Sequence, residues 1–270
     1  MKEEIVTFRS FDGVNLEGTY CSPSEKPNAS ILLVHGIDSD RNEWGFYLRM
    51  AAALAEAGFA TFRFDWRCYG ADQTRPISQL SLAGIANDIE SAARTLLSVS
   101  TTKCLNLIAA SFGGGVSTAW SRFTRCDIRR LILLAPVLDY AHDYLEHEGL
   151  GSQTEGVSVS ASDKLESDGY LITSGRPFSR QIINEFPYFS ASPAPTCPTM
   201  IIHGTADTGV PYVNSTNYAQ QNPKVRLLDF PGVEHGFATP GDDDLVWPET
   251  LQNHQRVYEW IVQFLKEMER

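Results

Sequence analysis

The stretch Leu105-Asn106-Leu107-Ile108-Ala109-Ala110-Ser111-Phe112-Gly113-Gly114-Gly115 limits what this chain can fold into more than any other. An aliphatic run of strand length meets a helical run at Ser111, so a serine stands where a buried strand must turn into a helix. Such an elbow is tight, and side chains two residues before and two after the serine would strike neighbouring elements. Ala109 and Gly113 hold those two positions. Ser111 is therefore expected to expose its hydroxyl, with the Phe112 N–H facing a cleft at the helix N-terminus.

Around this elbow the chain alternates. Glu3 to Ser10 and Val14 to Cys21 flank the turn dipeptide Asp12-Gly13 and predict an antiparallel hairpin. Ile31 to Val34, Ala60 to Phe64, Leu105 to Ala109 and Leu131 to Leu134 read as strands, and the first is apolar throughout, as strands buried on both faces are. Met50 to Ala57, Ile85 to Leu97 and Gly114 to Trp120 have helical spacing between them. This rhythm predicts the α/β class, a mostly parallel sheet with helices on both faces. It lapses from about Leu138 to Pro195, where charges are frequent and no clear strand shows. It resumes with strands at Thr199 to Ile202 and Val225 to Leu228 and an amphipathic helix through Val257, Trp260, Ile261 and Phe264. The expected organisation is one core formed by residues 1–136 and 196–270, interrupted by an inserted cap over residues 137–195 that holds short helices.

Composition narrows the function. With 22 Lys and Arg against 33 Asp and Glu, the net charge of −11 argues against nucleic acid and against anionic membranes, since both recruit proteins through basic groups. No apolar run approaches the roughly 20 residues of a spanning helix. The first residues, Met1 to Phe8, lack the apolar core of a secretory signal, and the five cysteines fall at no paired spacing, so a reducing cytoplasm is expected. No Gly-Lys-Ser/Thr or G-x-G-x-x-G pattern supports a nucleotide cofactor, and no metal set is evident. His142 and His147 lie among acids, but their five-residue spacing points to a solvated charge cluster.

The elbow resembles the G-x-S-x-G nucleophile turn of the α/β-hydrolase superfamily, with Ala109 for the first glycine and Ala110 where histidine is common. Further stretches resemble the same family. Val34-His35-Gly36-Ile37 matches its oxyanion loop, Phe62 to Gly70 its D-x-R-G-x-G turn with Cys68 for the first glycine, His203 to Pro211 its acid loop, and Glu234-His235-Gly236-Phe237 its base loop. The resemblance implies Ser111 as nucleophile, Asp207 as acid and His235 as base, in the chain order of this fold. It implies the Ile37 and Phe112 amides as oxyanion donors. The rivals of Asp207 are Asp139, after the earlier strand, and Asp229, at the end of the Val225 strand, with Asp139 the alternative acid.

Structural roles are expected for the other candidates. His35 and His203 should brace loops from beneath, His254 should lie at the surface, and Asp65 and Arg67 should pair with each other. Tyr140, Tyr144, Tyr170, Phe178, Phe186, Tyr188 and Phe189 could line an acyl or aryl pocket, but most of them are expected to pack the cap on the core. The resemblance is nearest to cinnamoyl or feruloyl carboxylesterases, which implies a small-molecule acyl ester as substrate and no cofactor. An acyl thioesterase acting on acyl-carrier-protein or CoA thioesters is the alternative enzyme, and a non-catalytic ligand-binding member of the fold is the alternative of another kind. Oligomeric state is left open.

Overall fold

The computed structural model describes residues 1–189 and 195–267. In chain order the elements are β1 (Lys2–Arg9), β2 (Asn15–Ser22), β3 (Ser30–Val34), α1 (Phe46–Glu56), β4 (Ala60–Phe64), α2 (Leu82–Val99), β5 (Leu105–Ala110), α3 (Ser111–Trp120) and β6 (Ile128–Leu134). Then come β7 (Gly151–Ser152), β8 (Gly156–Val157), α4 (Val159–Asp168), β9 (Tyr170–Thr173), β10 (Arg176–Ser179) and α5 (Arg180–Glu185). The chain closes with β11 (Thr199–Gly204), α6 (Tyr212–Gln221), β12 (Val225–Phe230) and α7 (Pro248–Lys266).

Eight strands form one sheet in the order β1-β2-β4-β3-β5-β6-β11-β12. Strands β4 to β12 of this sheet run parallel, and the β1–β2 hairpin joins β4 antiparallel. β3 and β5 lie at its centre and are buried along their whole length, as their unbroken aliphatic runs require. Alternate side chains feed two cores. Leu32, Val34 and Leu107 pack with α2 and α3 on one face, whereas Ile31, Leu33 and Ile108 pack with α1 and α7 on the other. The fold is thus the α/β layering the sequence predicts. No helix among the described residues is long and apolar enough to cross a membrane.

The segment between β6 and β11 differs from its sequence reading in one respect. It contains two small antiparallel pairs, β7–β8 and β9–β10, besides the helices α4 and α5. Strands of two and four residues closed by their own turns are too short to print a period on the sequence. The Ser192-Pro193-Ala194 part of this segment lies outside the described residues.

Where the strand ends meet the helices, buried charges lock the turns. Arg67 and Asp65 do not pair. The Arg67 guanidinium turns toward α2 and the hairpin, contacting Asp88 Oδ1 at 2.7 Å and Asp12 Oδ2 at 2.7 Å. Asp65 instead accepts the Arg41 and Ala71 amides at 2.7 and 3.0 Å, and a Cβ on Gly70 would stand 2.1 Å from its Cγ. Asp88 is fully buried, so removing it takes away the inner partner of the guanidinium and leaves it only the half-exposed Asp12 as an ion-pair partner. Asp88→Ala is expected to cost about 3–5 kcal/mol of stability, read as a lower urea midpoint.

Candidate active site

β5 hands the chain to α3 at Ser111, whose φ of 48° is left-handed, a conformation that disfavours any side chain. A strained residue at a strand-to-helix junction exposes its side chain instead of burying it in the helix. The close fit explains the small neighbours: a Cβ on Gly113 would stand 2.4 Å from the His35 carbonyl oxygen. That approach presses the start of α3 against the loop of residues 35–37.

Three residues distant in sequence meet here. His235 Nε2 lies 3.1 Å from Ser111 Oγ, and His235 Nδ1 lies 2.7 Å from Asp207 Oδ2. An Nδ1–H donated to the carboxylate leaves Nε2 as acceptor for the serine proton. Asp207 Oδ1 accepts the Gly209 and Val210 amides, each at 2.8 Å. Burial opposes the charge on Asp207, but hydrogen bonds from His203 and His235 and the Val210 amide outweigh it and hold its carboxyl below the usual range. Burial likewise works against charging His235. Its bond to Asp207 and the nearby Asp207 and Glu43 charges prevail, raising it above an ordinary histidine.

The other candidates fall elsewhere. Asp139 accepts the His142 amide at 3.0 Å, starting its own turn, and makes no bond to His235 among the described residues. His35 is buried beneath its loop, donating from Nδ1 to the Gly36 carbonyl at 2.7 Å and accepting the Trp66 amide at 3.3 Å. Burial pushes it down to about 4, so it stays neutral. His203 is buried as well, but its Nε2 stands 3.2 Å from Asp207 Oδ2, making it a second support of the acid.

His254 is not at the surface. It is buried on α7, where Nε2 donates to the Gly236 carbonyl at 2.9 Å and Arg49 reaches Nδ1 at 3.1 Å. A ring with polar partners at both nitrogens is satisfied inside the protein, and here it braces the residue next to His235. The Ile37 and Phe112 amides donate to no acceptor among the described residues. Phe112 lies in the first turn of α3, where no intrahelical acceptor exists. Its ring packs against Tyr140, Tyr144 and Phe178.

Ser111 and His235 open onto two cavities. One, of about 310 Å³, has Trp44, Phe46, Leu134, Phe237 and Leu245 on its walls, with the carboxylates Asp38, Glu43 and Asp243 among them. The other, of about 530 Å³, is bounded by Tyr144, His147, Glu148, Ser174 and the 207–211 loop. Arg176 of β10 borders both and pairs with Asp38, which follows Ile37.

The sequence model of the family described as serine aminopeptidase, S33, matches residues 25–164, about half of the chain. The chain belongs to this family of α/β hydrolases. Among curated proteins it is 26% identical over 247 residues to the uncharacterized protein YfhR of Salmonella typhi, covering 88% of this chain and 76% of that one. Among solved structures it resembles a putative hydrolase from Agrobacterium vitis S4, with a TM-score of 0.75 and 18% identity over 98% of this chain and 99% of that one. It also resembles Est1E from Butyrivibrio proteoclasticus, solved with ferulic acid bound, with a TM-score of 0.74 and 17% identity over 97% of this chain and 100% of that one. These structural likenesses place the hydrolase in the α/β-hydrolase fold.

Proposed function

We propose that this hydrolase is a carboxylesterase that works through a Ser111 acyl-enzyme. The observation that carries the reading is the continuous chain of contacts from Ser111 Oγ through His235 to Asp207 at a left-handed elbow that borders the cavities. His235 takes the Ser111 proton as Oγ attacks the acyl carbonyl, and then delivers it to the departing alcohol. Asp207 holds the ring tautomer and the imidazolium. The carbonyl oxygen becomes an oxyanion between the Ile37 and Phe112 amides, and each such donor is typically worth about 3–4 kcal/mol. Water, deprotonated by His235, then releases the acid and restores Ser111.

Residues 137–195 act as a cap in this reading. Arg176, reaching from β10 to Asp38, would hold it near the cleft. The aromatic and aliphatic walls of the smaller cavity suit an apolar or aryl group, and ferulic acid in the structurally similar Est1E points the same way. Arg176 offsets Asp38 on that cavity, and the remaining acids, Asp243 and the part-charged Glu43, disfavour the phosphates of CoA or an acyl-carrier prosthetic group, which favours esters over thioesters. Parallel assays on p-nitrophenyl and feruloyl esters and on acyl-CoAs test this. Ester turnover without thioester turnover is expected, and the reverse would make the protein a thioesterase.

The raised affinity of His235 for protons also has a sign. The base acts only when neutral, so kcat/KM should fall as pH drops through a midpoint above the ordinary histidine value of about 6.5. A pH–rate profile measures it.

A further inference from the structure

We propose that Glu43 is a positioning residue for the reaction at Ser111: its carboxyl, bonded to the Gly36 amide, fixes the loop that carries the Ile37 amide and stands on the same cavity as His235. This rests on the hydrolase reading above. Glu43 Oε2 accepts the Gly36 N–H at 2.7 Å. A Cβ on Gly36 would stand 3.1 Å from Ser111 Cβ and 3.2 Å from Glu43 Oε1, so nucleophile and carboxyl flank the same glycine. Both also border the smaller cavity, together with His235.

The backbone is bent to put Glu43 there. Glu43, Trp44 and Gly45 are all left-handed, with φ of 47°, 53° and 82°, and only the glycine suits that conformation. Two strained residues persist because both sides of the turn are anchored. The Glu43 amide donates to the Asp40 carbonyl at 2.9 Å, and the fully buried Tyr47 of α1 donates its hydroxyl to the Val34 carbonyl at 3.0 Å. Strain of this kind gathers where geometry serves function.

Glu43 makes no ion pair with lysine or arginine among the described residues. Facing it are Asp40 on its own loop, Tyr47 on α1 and His235, while Asp38, Asp243 and the Asp38-paired Arg176 stand on the same cavity. Burial pushes its carboxyl up to about 7, against the pull of the Gly36 amide and His235. Each charge favours the other, since the Glu43 carboxylate raises the proton affinity of His235 and the imidazolium lowers that of Glu43. Either form of the carboxyl, or a glutamine oxygen, can accept the Gly36 N–H; alanine cannot.

The test compares wild type, Glu43→Gln and Glu43→Ala on a p-nitrophenyl ester across the pH range, with fluorophosphonate labelling of each and thermal melts to confirm folding. Glu43→Ala should lose about 10- to 100-fold in kcat with KM little changed, a fraction of the cost of losing an oxyanion donor outright. Glu43→Gln should recover much of that kcat while its acidic limb moves to lower pH, because the negative charge near the imidazolium is gone. Wild-type kcat in Glu43→Ala, equal loss in both variants, or an unmoved limb in Glu43→Gln would each overturn the proposal. A wild-type protein that neither labels nor hydrolyses would instead overturn the hydrolase reading beneath it.

Discussion

Ser111→Ala should abolish ester hydrolysis, lowering kcat by about 10⁵- to 10⁶-fold while the protein stays folded. On the proposed route the nucleophile and its base act as one unit: without Oγ no acyl-enzyme would form, and His235 would have no proton to move. What remains should be the residual assistance of bound water and the Ile37 and Phe112 amides. Stability should change little. An alanine at φ 48° carries the same backbone strain as the serine, and the substitution removes the 3.1 Å hydrogen bond to His235. A burst assay with a p-nitrophenyl ester reads both parts of the effect, since the acylation burst should vanish with the turnover.

Asp207→Asn carries the second large effect, about 10⁴-fold in kcat. An amide at this position offers His235 Nδ1 a donor as readily as an acceptor, which favours the tautomer with the proton on Nε2, where Ser111 needs an acceptor. The buried site sharpens the loss. Asp207 gathers His235, His203 and two backbone amides on one carboxylate, and each of those donors is arranged for a full negative charge. Asp139→Asn should stay within a few-fold of wild type, because Asp139 only accepts the His142 amide. Equal losses in the two variants would contradict the placement of the acid.

The elbow and the sheet were legible in the sequence for physical reasons, whereas the grouping of Ser111 with Asp207 and His235 came from the family resemblance. Strands buried on both faces must be unbroken apolar runs, and a tight strand-to-helix turn tolerates only small residues at Ala109 and Gly113, so both constraints are written locally. Beyond His35 and His203, the supports of the site were not legible. His254 sits on a helix whose polar positions mostly face solvent, and only the Gly236 carbonyl and Arg49, brought from distant segments, make its interior place favourable. Glu43 is one acid in the polar run Asp38 to Trp44 and has no period or motif, and its position depends on three left-handed residues that no local signal marks apart from Gly45. The exchange of partners by Asp65 and Arg67 likewise depends on Asp12, Arg41 and Asp88, which the fold alone brings near.

Every catalytic role proposed for this site depends on Ser111 being the nucleophile. Treating the wild-type protein with a fluorophosphonate probe and mapping the adduct by peptide mass spectrometry decides that point. A single adduct on Ser111, absent from Ser111→Ala and strongly slowed in Asp207→Asn, is the expected result. A wild-type protein that takes no label, or an adduct that persists in Ser111→Ala, would contradict it.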